Sequence, residues 1–205
     1  MAVISNATTI ADAGSFSVGL GEMTLIKTLT ASSSATLDFL NGASNVVSDG
    51  TYSTYIFKFI NCHPATNNVK FTFQSDTGTN TNYNQAITST DFISQHSEGG
   101  SGDELGYATA NDQGNGTAFQ SVGQLVGNGN DECVSGTLHI FNPSNTTFVK
   151  HFMANTNVYR QDDYSRQHFT AGYFNTTTAL TRVQFKFSSG NIDSGLIKLY
   201  GIKDS

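Results

Sequence analysis

Residues 181–202 read TRVQFKFSSGNIDSGLIKLYGI. In the first half, Val183, Phe185 and Phe187 fall on one face and Arg182, Gln184 and Lys186 on the other. That two-residue period marks a strand with one side in a core and one side in water. Ser188, Ser189, Gly190 and Asn191 break the pattern as a turn does. A second strand is expected from about Gly195, with Ile197 and Leu199 on one face and Lys198 and Tyr200 opposite. The two are expected to be the last strand pair of an all-β chain.

Working outward, the same signal recurs. Strands are expected over 24–30 (TLIKTLT) and 35–40 (ATLDFL), with Ser32–Ser34 as the turn between them. TYIFKFI (54–60) is apolar on both sides except at Lys58, which suits a central strand. His63-Pro64 lies in a turn, and 69–74 alternates again with Val69, Phe71 and Phe73 inward and Lys70, Thr72 and Gln74 outward. These two runs are expected as a hairpin or as neighbouring strands. A short strand is expected near 83–88, and 119–126 reads as a strand or a single helical turn. Further strands are expected over 137–141, 147–154 and 167–174, with a polar link at 159–166. Residues 97–116 carry glycines at 99, 100, 102, 106, 114 and 116 and form the most loop-like stretch. A loop of that length is expected to be functional or mobile.

About nine or ten short strands without a long helix define an all-β antiparallel sandwich or barrel. The 205 residues show neither an internal repeat nor a break in composition. One domain is therefore expected over 22–205, preceded by an arm over 1–21 that is small, polar and weakly patterned. Such an arm is either loosely held or laid on a neighbouring subunit. A chain of this length buries roughly 70% of its unfolded surface, enough to fold without staples.

Only 13% of residues are charged, and the net charge is −6. Nucleic acid and anionic membrane surfaces are excluded as expected partners, because both need a basic face. No apolar run approaches the ~18 residues of a membrane span, and no basic-then-apolar leader opens the sequence. Cys62 and Cys133, far apart, are neither a disulfide framework nor a zinc site. They read as reduced thiols, with a single bridge between them as the alternative.

The closing GNIDSGLIKLYGI (190–202) resembles the C-terminal signature of small virion structural proteins of tailed bacteriophages, notably marine and cyanobacterial ones. The Tyr-rich strand at 52–60 and the alternating strand running into an Asp-x-Gly turn at 71–78 look similar to earlier pieces of the same chains. The resemblance touches about a third of the sequence. It implies a jelly-roll-like β-sandwich on a virion, a capsid decoration (cement) protein first, with a tail or head fibre component as the alternative. It also implies a homo-oligomer, commonly a trimer, whose partners are other virion proteins.

Chemistry is sparse. Asp38, in ATLDFL, and Asp91, beside Phe92, are the carboxylates best placed on strands for acid–base work. Asp103–Glu104, Asp131–Glu132 and Asp162–Asp163 read as solvated loop charge and lack the spacing of a calcium loop. A Ca²⁺ held between loops is the one metal alternative. His63, His96, His139, His151 and His168 share no ligand spacing; His139 and His168 are expected to face water or a subunit seam. Neither a nucleophile elbow nor a phosphate loop occurs. No catalytic residue, cofactor or metal site is assigned, and a non-enzymatic role is expected. The rival is a glycan-binding module, because Tyr52, Tyr83, Tyr107, Tyr159, Tyr164 and Tyr173 include loop-edge rings that can stack on sugars.

Overall fold

The computed structural model describes residues 3–5, 8–12, 15–16, 23–46 and 48–203, the first three stretches by their backbone alone. Strands β1 (Val3–Ser5), β2 (Thr8–Asp12) and β3 (Ser15–Phe16) fall within the stretch expected as an arm. They form a three-stranded antiparallel sheet of their own. The rest of 1–21, with any contact to a neighbour, lies outside the described residues.

Twelve further strands follow: β4 (Met23–Ser34), β5 (Leu37–Leu40), β6 (Thr54–Pro64), β7 (Val69–Thr77), β8 (Ile87–Ser97), β9 (Glu104–Tyr107), β10 (Gln120–Val126), β11 (Val134–Phe141), β12 (Lys150–Tyr159), β13 (Tyr164–Phe174), β14 (Leu180–Phe187) and β15 (Ile192–Ile202). They form an eight-stranded sheet, β4-β15-β6-β11-β12-β13-β8-β9, and a four-stranded sheet, β10-β7-β14-β5. Every pairing is antiparallel.

Taking β4, β5, β6, β7, β10, β11, β14 and β15 as strands one to eight, the large sheet opens with one-eight-three-six. The small sheet is five-four-seven-two. That is the jelly-roll topology, two interleaved Greek keys. Two hairpins are inserted, β8–β9 and β12–β13, and both lengthen the large sheet on its β11 side.

The topology corrects several expectations. The last two strands, β14 and β15, do not pair; each lies in a different sheet. β6 and β7 are likewise split rather than joined as a hairpin. The reason is shared by both pairs. Each strand turns its apolar set toward one common core, so the chain gains more by crossing over that core than by folding flat on itself. β6 also runs through His63-Pro64, and β4 runs through Ser32–Ser34, so both turns come later than expected. Residues 83–86 are loop, and β8 begins only at Ile87. Residues 120–126 are strand. β9 lies inside the stretch read as loop.

The core is a cluster of phenylalanines. Phe185 is wholly buried, and its ring centroid lies 5.1 Å from Phe57, 5.3 Å from Phe59 and 6.2 Å from Phe71. Phe39 and Phe73 complete the ring of neighbours at 6.1 and 6.3 Å. Phe73 passes the contact on to Phe152 and Phe174 under the inserted hairpin β12–β13.

Two glycines of the terminal stretch are fixed by this packing. Gly195 has φ +122°, and a Cβ there would lie 2.6 Å from the carbonyl oxygen of Asn61, in β6. A Cβ on Gly201 would run into the ring of Tyr52. The stretches 190–202 and 52–60 therefore pack on each other.

Phe185→Ala should cost about 3–5 kcal/mol, as truncation of a fully buried aromatic does. Chemical denaturation reads it. A loss under about 1 kcal/mol would mean that β14 does not lock the sheets together.

Candidate functional site

The inner face of the inserted half of the large sheet mixes core side chains such as Ile87, Phe152 and Phe174 with polar ones. β8 reads ITSTDFISQHS, and the residues it turns inward include Ser89 and Asp91, while Phe92 points out. β13 turns His168 and Thr170 inward and Phe169 outward. The register sets Thr170 opposite Asp91 and His168 opposite Ile93. Asp91 and His168 are wholly buried. Oδ2 of Asp91 accepts from His168 Nδ1 at 3.0 Å and from Asn111 Nδ2 at 2.8 Å, and Oδ1 accepts from the Thr170 hydroxyl at 3.0 Å.

An Asp–His pair invites comparison with the orienting pair of a general base. The fourth contact decides against that role. The backbone N–H of Gln124, on β10, donates to His168 Nε2 at 3.3 Å. That nitrogen is an acceptor already in use, so the ring proton sits on Nδ1 and no nitrogen is left to take a substrate proton. The group clamps β8, β13, β10 and residue 111 together. His168 therefore faces neither water nor a subunit seam. It is buried because its partner Asp91 is buried with it.

The network continues through amides. Gln120 Nε2 donates to the carbonyls of Asn111 and Ser121, and its Oε1 accepts from Ser89 and Gln113. Gln74, expected to lie in water, does point away from the core but is wholly buried. Its Nε2 donates to the carbonyls of Gln85, Thr117 and Ala118. The latter half of the glycine-rich stretch is thus pinned over the small sheet. At the far end Gln95 Oε1 accepts from both Arg160 and Arg166. Burial, then the neighbouring Arg160, lowers the Arg166 pKa.

Other candidates disperse. Asp38 is exposed and accepts from Thr36, Tyr83 and Gln184. Burial, then that Asp38 bond, pushes the Tyr83 hydroxyl up to about 12. His96 and Asp103 meet at 3.0 Å on the surface. Arg160 pairs with Asp162 at 2.7 Å, and His63 contacts the carbonyl of Glu132 at 2.7 Å. Asp131 and Asp163 are exposed. Among the described residues no three His, Cys, Asp or Glu side chains converge as a metal site. Cys62 and Cys133 are free, and burial holds the Cys62 thiol at about 12.

What remains is the outer face of the inserted half. Phe92 and Phe169 sit opposite each other in register and stack at 4.9 Å. Tyr107, on β9, lies beside Phe92. Met153 pairs with Ala171 and His139, and Tyr173 pairs with His151. A shallow groove of about 470 Å³ runs between them, lined by Thr88, Thr90, Phe141, His151, Met153 and Tyr173. A second, of about 510 Å³, shares Phe141 and His151 and adds Phe148 and Asn145. Of the six candidate tyrosines, Tyr107 and Tyr173 lie on this face, and Tyr159 stands at its end beside His96, Asn157 and Ser165. Tyr52 belongs to the core. Sequence reasoning missed the face because it assigned exposed positions to polar residues; the signal was a Phe directly after a strand Asp, as at 91–92.

No protein-family model, no curated protein and no solved structure matches this chain.

Asp91→Asn replaces an acceptor oxygen by an amide among three donors and should cost about 1–3 kcal/mol. An unchanged denaturation midpoint would show the network to be dispensable. Burial, then Lys58, lowers the pKa of His139 below the ordinary value. The unfolded chain therefore binds its proton more readily. The stability so gained is present above about pH 6.5 and is lost as pH falls through the lower folded value. His139→Gln should flatten the decline in melting temperature between about pH 7 and pH 5. Identical slopes would contradict this.

Proposed function

We propose that the chain is a non-enzymatic structural protein of a tailed-phage particle, a capsid decoration protein that binds the capsid exterior and stabilises it. The observation that carries this reading is the sheet face just described. On it Phe92, Phe169, Met153 and Tyr173 stand among Thr, Ser, Asn and His side chains, and no outward position of β8, β11, β12 or β13 is Asp, Glu, Lys or Arg. Such a face suits protein contact more than chemistry. The resemblance of 190–202 and 52–60 to phage virion proteins supplies the particle. Both stretches sit at the centre of the sandwich, so the likeness concerns the scaffold and leaves the partner to the surface.

A glycan-binding fibre or adhesin component is the second reading. It is favoured by the groove at Phe141, His151, Tyr173 and Phe148, where rings stand beside Thr and Asn side chains. A sugar that binds only the folded chain must raise its melting temperature.

The test is binding of purified protein to capsids that lack it, followed by imaging. Regular density at the local symmetry axes of the capsid is the expected result. Density confined to the tail, with stabilisation by a host polysaccharide, would replace decoration by the adhesin reading.

A further inference from the structure

On the half of the large sheet away from the inserted hairpins, the strand register brings together basic side chains that lie far apart in sequence. Lys198, on β15, stands directly opposite Lys58, on β6, with Thr28 and Thr137 beyond them on β4 and β11. Both lysines point away from the core, because their neighbours Ile197, Leu199, Phe57 and Phe59 belong to it. Like charges set directly across a strand pair destabilise it. Among the described residues neither ammonium meets a carboxylate. Lys58 lies 5.4 Å from the ring centroid of Tyr200. Asp193 is the one acidic residue on β4, β6 and β15, and it stands near the start of β15, about 16 Å along the strand from Lys198. The positive field reaches the next strand, where burial, then Lys58, lowers the pKa of His139.

The next row along the same face runs Leu25, Tyr200, Ile56 and His139. Met23 lies beyond Leu25, and Ile60 lies on the other side of the lysines. Leu25 is 51% exposed, Met23 42% and Ile60 36%. We infer that this face binds an acidic segment of another protein, which sets Asp or Glu side chains over Lys58 and Lys198 and apolar side chains over Leu25 and Ile60. Charge complementarity calls for the carboxylate, and the apolar neighbours select the molecule that carries it. A chain of net −6 repels a phosphate polymer or an anionic membrane, and two lysines do not offset that. A sugar acid would find few partners for its hydroxyls, since Leu25, Met23 and Ile60 offer no donor or acceptor side chain. A protein segment brings one or two carboxylates together with apolar side chains, which is what the face can take. The repulsion between the lysines, a cost in the free chain, becomes an attraction shared by one partner carboxylate. This surface is separate from the one on β8 and β13, so the contact goes beyond capsid decoration through that face and stands without it.

The experiment is fluorescence anisotropy of a labelled synthetic peptide of repeated Ser-Glu-Ser-Val, titrated with the full chain at low salt. Such a peptide presents Glu and Val on one side of an extended strand. Saturable binding that weakens with added salt is expected, and a peptide with Gln in place of Glu should bind less tightly. Lys58→Gln and Lys198→Gln should each weaken binding about tenfold. Lys186→Gln, on the outer side of the small sheet, should leave it unchanged. Circular dichroism checks that each variant is folded. In the free chain Lys198→Gln should raise the melting temperature at low salt, because it removes the facing like charge. No saturable binding of the Glu peptide overturns the inference, as does binding that survives both lysine substitutions or is matched by the Gln peptide. Labelled single-stranded DNA or phosphatidylglycerol vesicles binding through Lys58 and Lys198 in place of the peptide would also overturn it and give the face to a phosphate ligand.

Discussion

Phe185 stands where the two sheets meet, and the sandwich is built around its ring. It comes from the small sheet and touches Phe57 and Phe59 of the large one, while Phe71 and Phe73 flank it from the neighbouring strand. A ring in that position must be covered from both sides at once. The chain meets this demand by sending consecutive strands to opposite sheets; of the eight jelly-roll strands, only the consecutive pair β7 and β10 shares one. Tyr52 over Gly201 and the close crossing at Gly195 then fix how the terminal strand seats against β6.

The large sheet has twice as many strands as the small one, and that inequality shapes everything else. The inserted hairpins cannot all be roofed by a second sheet. Their inner side is closed instead by β10 and by residues 108–118, which carry backbone polar groups into the interior. Those groups need partners, and His168, Gln120 and Gln74 supply them, with Asp91 holding the His168 ring in place. The polar network is thus the consequence of an oversized sheet. Lys150, wholly buried and donating to the carbonyls of Phe148 and Thr176, answers the same need at the sheet's other end. Burial lowers its pKa. With polar residues taking inward positions beside Phe152 and Phe174, other rings and apolar side chains of these strands, Phe92, Met153, Phe169 and Tyr173, stand on the outside.

That exchange explains what could be read in advance. Where one face is apolar, as at Val183, Phe185 and Phe187 or at Val69, Phe71 and Phe73, period two alone gives the strand and its buried side. In 87–97 and 164–174 both faces mix small polar and aromatic residues, so the period carries no direction. Hydrophobicity then suggests Phe92 inward and Asp91 outward, the reverse of what the register imposes. Sheet membership was illegible for a different reason: a short turn is compatible with both a hairpin and a crossing, and the choice depends on contacts far away in sequence. Gln74 illustrates the same limit. Its direction followed from alternation, but its burial depends on residues 117 and 118 folding back over it.

The measurement closest to the centre of this account is the set of through-space proton contacts in an isotope-labelled sample by nuclear magnetic resonance. Ring contacts of Phe185 with Phe57 and Phe59 are predicted, together with backbone contacts pairing Val183 with Ser75 and Leu199 with Phe57. Backbone contacts running directly between β14 and β15, as in a single hairpin, would contradict the split of these strands between two sheets and the core that follows from it.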